Sequence, residues 1–195
     1  NVNFIIDMPT PITHLFAAIP VNIAIMGAVN KKKIILLSLI ISILPDLDLI
    51  GYFLGLPISS FLGHRGFTHS IFFALVVALM TNLLFFSDIK TKDKRFKLLF
   101  LNFLFVALTH PLLDFLVNRN TGVALLSPFV LTRFASPIAP IVEESVGILN
   151  YYHFYFKEVV KVEFFYIILP SLIYTMIWTK IFFKSGILYK VKNKI

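Results

Sequence analysis

The apolar stretch KLLFLNFLFVALTHPLLDFLV, residues 97–117, decides the fold. It is long enough to cross the hydrocarbon core of a bilayer, which takes about 20 residues as an α-helix. Only its first residue, Lys97, and two residues near its other end, His110 and Asp114, can carry a charge. Ionisable side chains are costly inside a membrane, and where they occur they are functional candidates. The stretch therefore predicts a transmembrane helix that carries part of a functional site.

Four further apolar stretches have a similar length, near 12–30, 34–54, 66–87 and 164–183. Hydrophobic residues make up 58% of the chain and charged residues 14%, against roughly 25% charged residues in soluble domains. We therefore predict an all-α, polytopic membrane protein with about five transmembrane helices, folded as a single membrane-embedded domain over 1–195. The long connection 118–163 is predicted to be extracytoplasmic, with 123–131 re-entrant or interfacial and 148–163 an interfacial helix. Residues 184–195 are predicted to form a basic cytoplasmic tail.

The basic residues divide unevenly between the two sides of this predicted bundle. Thirteen of the 18 lysines and arginines fall at 31–33, 90–97 and 180–194, and the others fall at 65 and within 118–163. Positively charged loops face the cytoplasm, which predicts a multi-pass inner or plasma membrane protein with its N-terminus outside and its C-terminus inside. The net charge of +8 is then explained by topology, and we expect no nucleic-acid partner.

The absence of cysteine means that any metal site must rest on His, Asp and Glu. The candidate ligands in or beside the predicted spans are His14, Asp46, Asp48, His64, His69, His110 and Asp114. With a helical rise of about 1.5 Å per residue, those within the spans lie about 20 to 31 Å from the nearest basic loop. All four helices therefore bring polar groups to the outer third of the bilayer, where they can converge on one site.

The spacing of these residues suits metal ligation to different degrees. His110 and Asp114 are four residues apart and project from one helical face. Asp46 and Asp48 reach one site only if the helix unwinds near Pro45, or if one of them acts through a ligand. His64 and His69 converge only if the helix begins after His64. Four imidazoles and three carboxylates suffice for two or three divalent transition-metal ions, with zinc expected first and manganese or iron as alternatives.

Several strings of the chain together resemble the membrane-bound, metal-dependent hydrolases of the YdjM type. These strings are Thr13-His14, Pro-Asp-Leu-Asp at 45–48, His-Arg-Gly-Phe-Thr-His-Ser at 64–70, His-Pro-Leu-Leu-Asp at 110–114 and Gly-Val-Ala-Leu-Leu-Ser-Pro-Phe at 122–129. The resemblance covers about residues 8 to 131. That family is distantly similar to zinc-dependent phospholipase C and the single-strand-specific zinc nucleases. The resemblance implies an all-helical, multinuclear metal site that hydrolyses phosphoesters.

These observations predict an enzyme that cleaves a phosphoester of a lipid or lipid-linked substrate with metal-activated water. The predicted catalytic residues are Asp46, Asp48 and Arg65. Whichever of the two aspartates is not a ligand would orient the nucleophile or take its proton. Arg65 would hold a phosphate oxygen. The apolar, aromatic 118–163 segment would guide the chains of an amphiphile.

Three other functions remain open on the sequence. Asp46, Asp48 and Asp114 could form the ion site of a cation or metal transporter, although no acidic residue marks the cytoplasmic half of any span. A non-catalytic scaffold could use a metal only to hold its helices together. A haem-binding electron carrier could use the histidines, but the adjacent carboxylates have no role as haem ligands.

Overall fold

The computed structural model describes residues 9–22, 31–117, 121–137 and 160–184. The helices are α1 Pro11–Val21, α2 Lys31–Ile43, a 3₁₀ segment Leu44–Asp48, α3 Leu49–Phe53, a 3₁₀ turn Phe67–His69, α4 Ile71–Phe85, α5 Lys94–Val117, α6 Val160–Glu163, a π-helical segment Phe164–Ile168 and α7 Leu169–Lys184. Within these described ranges the only β-type pairing is an isolated antiparallel bridge between Val123 and Phe134. The predicted all-α class is therefore confirmed.

The helices have the composition of a membrane bundle. Two continuous helical runs are long and apolar enough to cross a membrane. One is Lys32–Gly51, which includes α2, the 3₁₀ segment and the start of α3, and the other is Lys94–Leu116 of α5. Shorter apolar helices occupy Pro11–Val21, Ile71–Phe85 and Phe164–Lys180. The count of five spans, the single-domain organisation and the orientation of the termini stay predictions.

Apolar side chains lie on the outside of the bundle and polar side chains lie inside it, the reverse of the usual distribution in a soluble protein. Large apolar side chains are exposed along the outer faces of the helices, among them Leu36, Leu84 and Phe105. Polar side chains are buried between the helices: Asn22, Ser38, Ser42, Asn82 and Asn102. Lipid tails solvate apolar side chains as well as a protein core does, so helix association in a membrane relies on close packing and buried polar contacts. This distribution supports a membrane location.

Small and large residues alternate where the helices meet. Ala18 of α1 and Ala74 and Ala78 of α4 are buried in the same cluster as Phe103 and Val106 of α5. Small residues let helix backbones approach closely, which increases dispersion contacts in lipid. α4 and α5 make the most extensive helix pair, and α1 and α2 pack beside α5.

Helix-capping residues and a proline determine where helices begin and end near the candidate ligands. The Thr10 side chain accepts a hydrogen bond from the Thr13 N–H, and Ser70 accepts one from the Phe73 N–H, so each caps a helix start. α4 therefore begins at Ile71, later than the predicted start at residue 66. Pro45 lies in a 3₁₀ segment between α2 and α3, so the regular helix does unwind there, as in the first of the two alternatives left open by the sequence.

The chain direction alternates so that one end of the bundle collects the polar residues. α1 and α4 begin at this end, and α2 and α5 end there. Segment 121–137 folds back over the same end, where the Ala124 N–H donates to the Arg65 carbonyl oxygen and the Ile71 N–H donates to the Leu125 carbonyl oxygen, both at 3.0 Å. The predicted re-entrant or interfacial piece 123–131 consists of irregular turns here. Of the predicted interfacial helix 148–163, only 160–163 lies within the described residues, and it is helical.

Candidate metal centre

All seven candidate ligands lie together at this end of the bundle. His14 comes from α1, Asp46 and Asp48 from the 3₁₀ segment, His64 and His69 from the chain before α4, and His110 and Asp114 from α5. Four of them, His14, His69, His110 and Asp114, have no solvent exposure. Pro111 lies inside α5 without ending it, so His110 and Asp114 do share one helical face. The residues that the sequence places on separate spans thus meet in one buried cluster.

Ligand-type atoms face one another at the centre of this cluster. His110 Nε2 lies 3.1 Å from His69 Nε2 and 3.2 Å from Asp46 Oδ1. His69 Nε2 also lies 3.2 Å from Asp114 Oδ2. With metal–ligand bonds of about 2.0–2.2 Å, adjacent ligand atoms of one ion lie about 3.0 to 3.5 Å apart. The observed spacings therefore fit donors around one metal ion or around two adjoining ions.

The outer nitrogens of the two central histidines determine their protonation. His110 Nδ1 lies 2.7 Å from the Ser42 carbonyl oxygen, which only accepts, so this nitrogen carries the proton. His69 Nδ1 lies 3.1 Å from Asp48 Oδ2, which assigns its proton in the same way. In the neutral tautomers with a proton on Nδ1, each Nε2 atom carries a lone pair. The two Nε2 atoms lie close to each other, and each lies close to a carboxylate oxygen. This arrangement has the chemistry of a cation-binding site.

Other buried atoms of the cluster are also without partners. Among the described residues, neither ring nitrogen of His14, neither side-chain oxygen of Asp46, nor Oδ1 of Asp114 has a hydrogen-bond partner. An unpaired buried polar atom costs about 1–3 kcal/mol, so several in one place indicate a missing ligand. The His14 ring stacks on the His110 ring with centroids 3.7 Å apart.

Two sets of three residues have the geometry to hold a metal ion. They are His14, His110 and Asp114, and Asp46, His64 and His69, with the ligand atoms of each set within 4.8 Å of one another. The sets adjoin through the contact of His110 with His69. The residues present therefore fit two neighbouring ions.

Asp48 lies behind the histidines, not among the facing atoms. Its Oδ1 lies 2.8 Å from His64 Nδ1, and its Oδ2 accepts from Thr68 Oγ1 at 2.6 Å and from the Arg65 N–H at 3.1 Å. Together with the contact to His69, these bonds occupy both oxygens. Asp48 therefore orients two histidines, whereas Asp46 presents free oxygens. This geometry favours Asp46 over Asp48 as a ligand, a choice that the sequence leaves open.

Arg65 is buried within the cluster in a strained conformation. Its φ of 62° is unusual for a residue with a side chain, and such strain concentrates at functional sites. Arg65 Nε donates to Asp114 Oδ2 at 3.2 Å, and Nη1 donates to Thr121 Oγ1 at 3.0 Å. Within the described part of the chain its Nη2 has no partner. The buried Nη2 amino group of Arg65 can therefore donate to a ligand.

A second arginine supports the loop that carries His64. The Arg133 guanidinium donates to the carbonyl oxygens of His64, at 3.0 Å, and of Ile58. Burial, and then the positive charge of Arg65, lower the pKa of Arg133. Two guanidinium groups near the metal residues make this end of the site favourable for an anion.

The glycine of the His-Arg-Gly string allows this loop to close. A Cβ at Gly66 would meet the Phe61 carbonyl oxygen at less than the distance that real Cβ atoms show, and would lie 2.7 Å from the Gly63 carbonyl oxygen. The Phe67 N–H donates to the Phe61 carbonyl oxygen at 2.9 Å, so the turn is tight. Glycine at 66 lets the turn place His64 and His69 on the same side.

Glu163 belongs to this region and was not among the predicted site residues. It is 1% exposed, and its Oε1 accepts from the Thr10 N–H at 2.7 Å. Its Oε2 accepts from the hydroxyls of Thr10 and Thr13, each at 2.7 Å. A carboxylate at a helix N-terminus is stabilised by the helix dipole. Glu163 thus docks the last helical unit onto the start of α1, next to His14; its only sequence signal is a carboxylate directly before an apolar stretch.

Glu163→Gln is expected to lower stability and weaken metal binding. The amide keeps the volume of the side chain but turns an NH₂ group toward donors, which leaves buried groups unpaired at a cost of about 1–3 kcal/mol. We expect a lower thermal unfolding midpoint in detergent and a lower metal content after dialysis. Lys161→Gln, at an exposed position of α6, is the control and should change neither. Unchanged unfolding of the Glu163 variant would contradict this role.

Comparisons with known proteins agree with this architecture. The model of the family described as "YdjM inner membrane protein" matches residues 8–184. The chain is 31% identical over 173 residues to the inner membrane protein YbcI of Escherichia coli K12, covering 88% of this chain and 98% of that protein. No solved structure matches the chain significantly. A match over nearly the whole chain, with the strings of the metal centre inside it, shows that this membrane protein belongs to the YdjM inner membrane protein family.

Proposed function

We propose that the protein is a membrane-bound, metal-dependent hydrolase that cleaves a phosphoester of a lipid or lipid-linked substrate. The observation that carries the proposal is the set of facing ligand-type atoms: His69 Nε2, His110 Nε2 and Asp46 Oδ1 within 3.1 to 3.8 Å of one another. Divalent transition-metal ions, zinc first among them, suit this mixture of imidazole and carboxylate ligands. When bound, such ions lower the pKa of a bound water to about 7 and polarise phosphoryl oxygens.

The residues around the centre would bind the ions or orient the ligands. His14, His110 and Asp114 would hold one ion, and Asp46, His64 and His69 the other. Asp48 keeps His64 and His69 oriented through its four contacts.

A proton acceptor and an anion-binding group are both present. With Asp46 Oδ1 directed at the histidines, Oδ2 would be available to accept a proton from the attacking water. Arg65 Nη2, the free N–H group, would donate to a non-bridging phosphate oxygen. The Arg65 bond to Asp114 would keep the guanidinium in place while the charge on the phosphoryl group changes.

An amphiphilic substrate suits the surroundings of the centre. The cluster lies at one end of an apolar bundle, and segment 121–137 next to it exposes Phe129, Val130 and Leu131. Exposed side chains of this kind beside a polar site favour a ligand with both an apolar and a charged part. We therefore infer a lipid or lipid-linked phosphate as substrate.

The experiment is turnover of phosphoesters by detergent-solubilised protein. Phospholipids, isoprenoid phosphates and p-nitrophenyl phosphate are offered to protein as purified, after chelation, and after zinc is restored. We expect hydrolysis that disappears with the chelator and returns with zinc. Activity that survives chelation would refute metal-dependent chemistry, and metal-loaded protein inactive on all three substrates would favour a metal-stabilised scaffold.

Cation or metal transport is the second candidate, and one observation favours it. Asn22 Oδ1 accepts from Ser38 Oγ at 2.8 Å and from Asn102 Nδ2 at 3.0 Å, which makes a buried polar cluster between the centre and the basic end. Asn102 Oδ1 is among the described buried atoms without a partner. Zinc flux into proteoliposomes that Asn102→Leu abolishes would support this function in place of hydrolysis.

A further inference from the structure

An apolar cleft of about 280 Å³ lies between the start of α4 and segment 121–137. One wall is formed by Ile71, Phe72 and Leu75 of α4, and the other includes Leu126, Phe129 and Val130. The rings of Phe72 and Phe129 meet edge to face at 5.5 Å. The cleft is partly open to the outside and its surface is hydrocarbon, so it suits an apolar ligand.

Both walls of the cleft continue directly from the metal centre. Ile71 follows His69 by two residues, which places their Cα atoms no more than about 7 Å apart. The opposite wall is tied to the same elements, because the Ala124 N–H donates to the Arg65 carbonyl oxygen and the Leu125 carbonyl oxygen accepts from the Ile71 N–H. A ligand in the cleft would therefore lie beside the chain segments that carry His69 and Arg65.

We propose that this cleft binds the hydrocarbon chain of the phosphoester substrate next to its ester bond. The proposal rests on the proposed hydrolase function and specifies its substrate class: an alkyl or isoprenyl phosphate with its chain held against α4. The phosphate would lie among the metal residues and Arg65, and the first part of the chain would lie between Leu75 and Val130. At roughly 30 Å³ per water-sized group, the cleft holds about nine methylene-sized groups.

The physics of the membrane limits what the cleft can contribute. A chain that leaves lipid for an apolar cleft gains little free energy, because both surroundings are apolar. The cleft therefore acts mainly by positioning the ester, which brings the reacting atoms together. For short, water-soluble substrates the same chain leaves water, and each methylene that enters the cleft lowers KM by up to about fourfold.

The kinetic experiment uses straight-chain alkyl phosphates of two to twelve carbons at a fixed detergent concentration, with release of inorganic phosphate as the readout. In the native protein we expect KM to fall with each added carbon up to about nine and then to level off. Leu75→Trp and Val130→Trp, which fill the cleft, should flatten this dependence. Leu84→Trp, at an exposed position of α4 outside the cleft, is the matched control. Hydrolysis with the same chain-length dependence in both cleft variants would overturn the proposal.

A binding experiment decides the proposal even if no hydrolysis is found. A decyl phosphonate with a photoreactive group in its chain is compared with the corresponding decyl alcohol, and labelled peptides are mapped. We expect the phosphonate to label peptides from 71–75 and 126–130, and inorganic phosphate and chelator to reduce this labelling. Equal labelling by the alcohol would identify a site for bulk lipid, and labelling elsewhere would exclude the cleft; either result overturns the proposal. Failure of the hydrolase function alone would instead appear as correct labelling without turnover.

Discussion

His110→Ala protein is expected to lose at least one transition-metal ion per chain and hydrolytic activity by about a thousandfold or more. Metal-ion stabilisation of a phosphoryl transition state is worth several kcal/mol, and each 1.36 kcal/mol corresponds to a factor of ten in rate. The His110 ring is fully buried, held by Ser42 on one side and directed at His69 and Asp46 on the other. Alanine can replace neither contact.

The measurement is metal content by mass spectrometry of purified protein, with helical content and elution volume recorded to show that the variant is folded. Asp114→Asn, which keeps the volume, is the second variant and should also lower the metal content. Asp93→Asn is the matched control, because this partly exposed carboxylate lies near the start of α5, at the other end of the bundle. There it accepts from Arg95 at 2.7 Å, and this hydrogen bond lowers the pKa of Asp93. Full metal occupancy in folded His110→Ala protein would show that the cluster is not a metal site.

The second large expected effect is a difference in activity and metal binding between substitutions of Asp46 and of Asp48. Asp46→Asn should reduce kcat by about a thousandfold and lower the metal content, because Asp46 Oδ1 faces His110 and His69 and neither Asp46 oxygen has a hydrogen-bond partner among the described residues. Asp48→Asn should reduce metal affinity or activity by only about 10- to 100-fold, the range for residues that orient a ligand.

The readouts are metal titration and kcat at saturating metal. Excess zinc is expected to restore most activity to the Asp48 variant and little to the Asp46 variant. Thr68→Val, which removes one hydrogen bond to Asp48, should resemble a weaker form of the Asp48 variant. If Asp48→Asn proves the more damaging change and zinc does not rescue it, the assigned roles of the two carboxylates are reversed.

The helical membrane fold could be predicted because its physical determinants are local. Stretches such as 97–117 are long and carry little charge. In a bilayer such a stretch must satisfy its own backbone hydrogen bonds, which a helix does. The convergence of the seven candidate ligands could also be predicted, since ionisable groups stand out in apolar spans and their common depth follows from the helical rise. The unwinding at Pro45 was one of two alternatives on the sequence, and the 3₁₀ segment Leu44–Asp48 appears only in the structure.

The tertiary structure decided which groups meet and which of their atoms remain free. Arg65 pairs with Asp114 across 49 residues, and Glu163 reaches Thr10 across 153 residues. Such contacts depend on how the helices pack, and no local pattern encodes them. Asp46 and Asp48 look alike in the sequence, yet only the fold surrounds Asp48 with donors and leaves the Asp46 oxygens bare. The sequence by itself determined the membrane helices and the chemistry of the residues, because composition and spacing control both. Packing assigned each residue its role, because a role depends on neighbours that are distant along the chain.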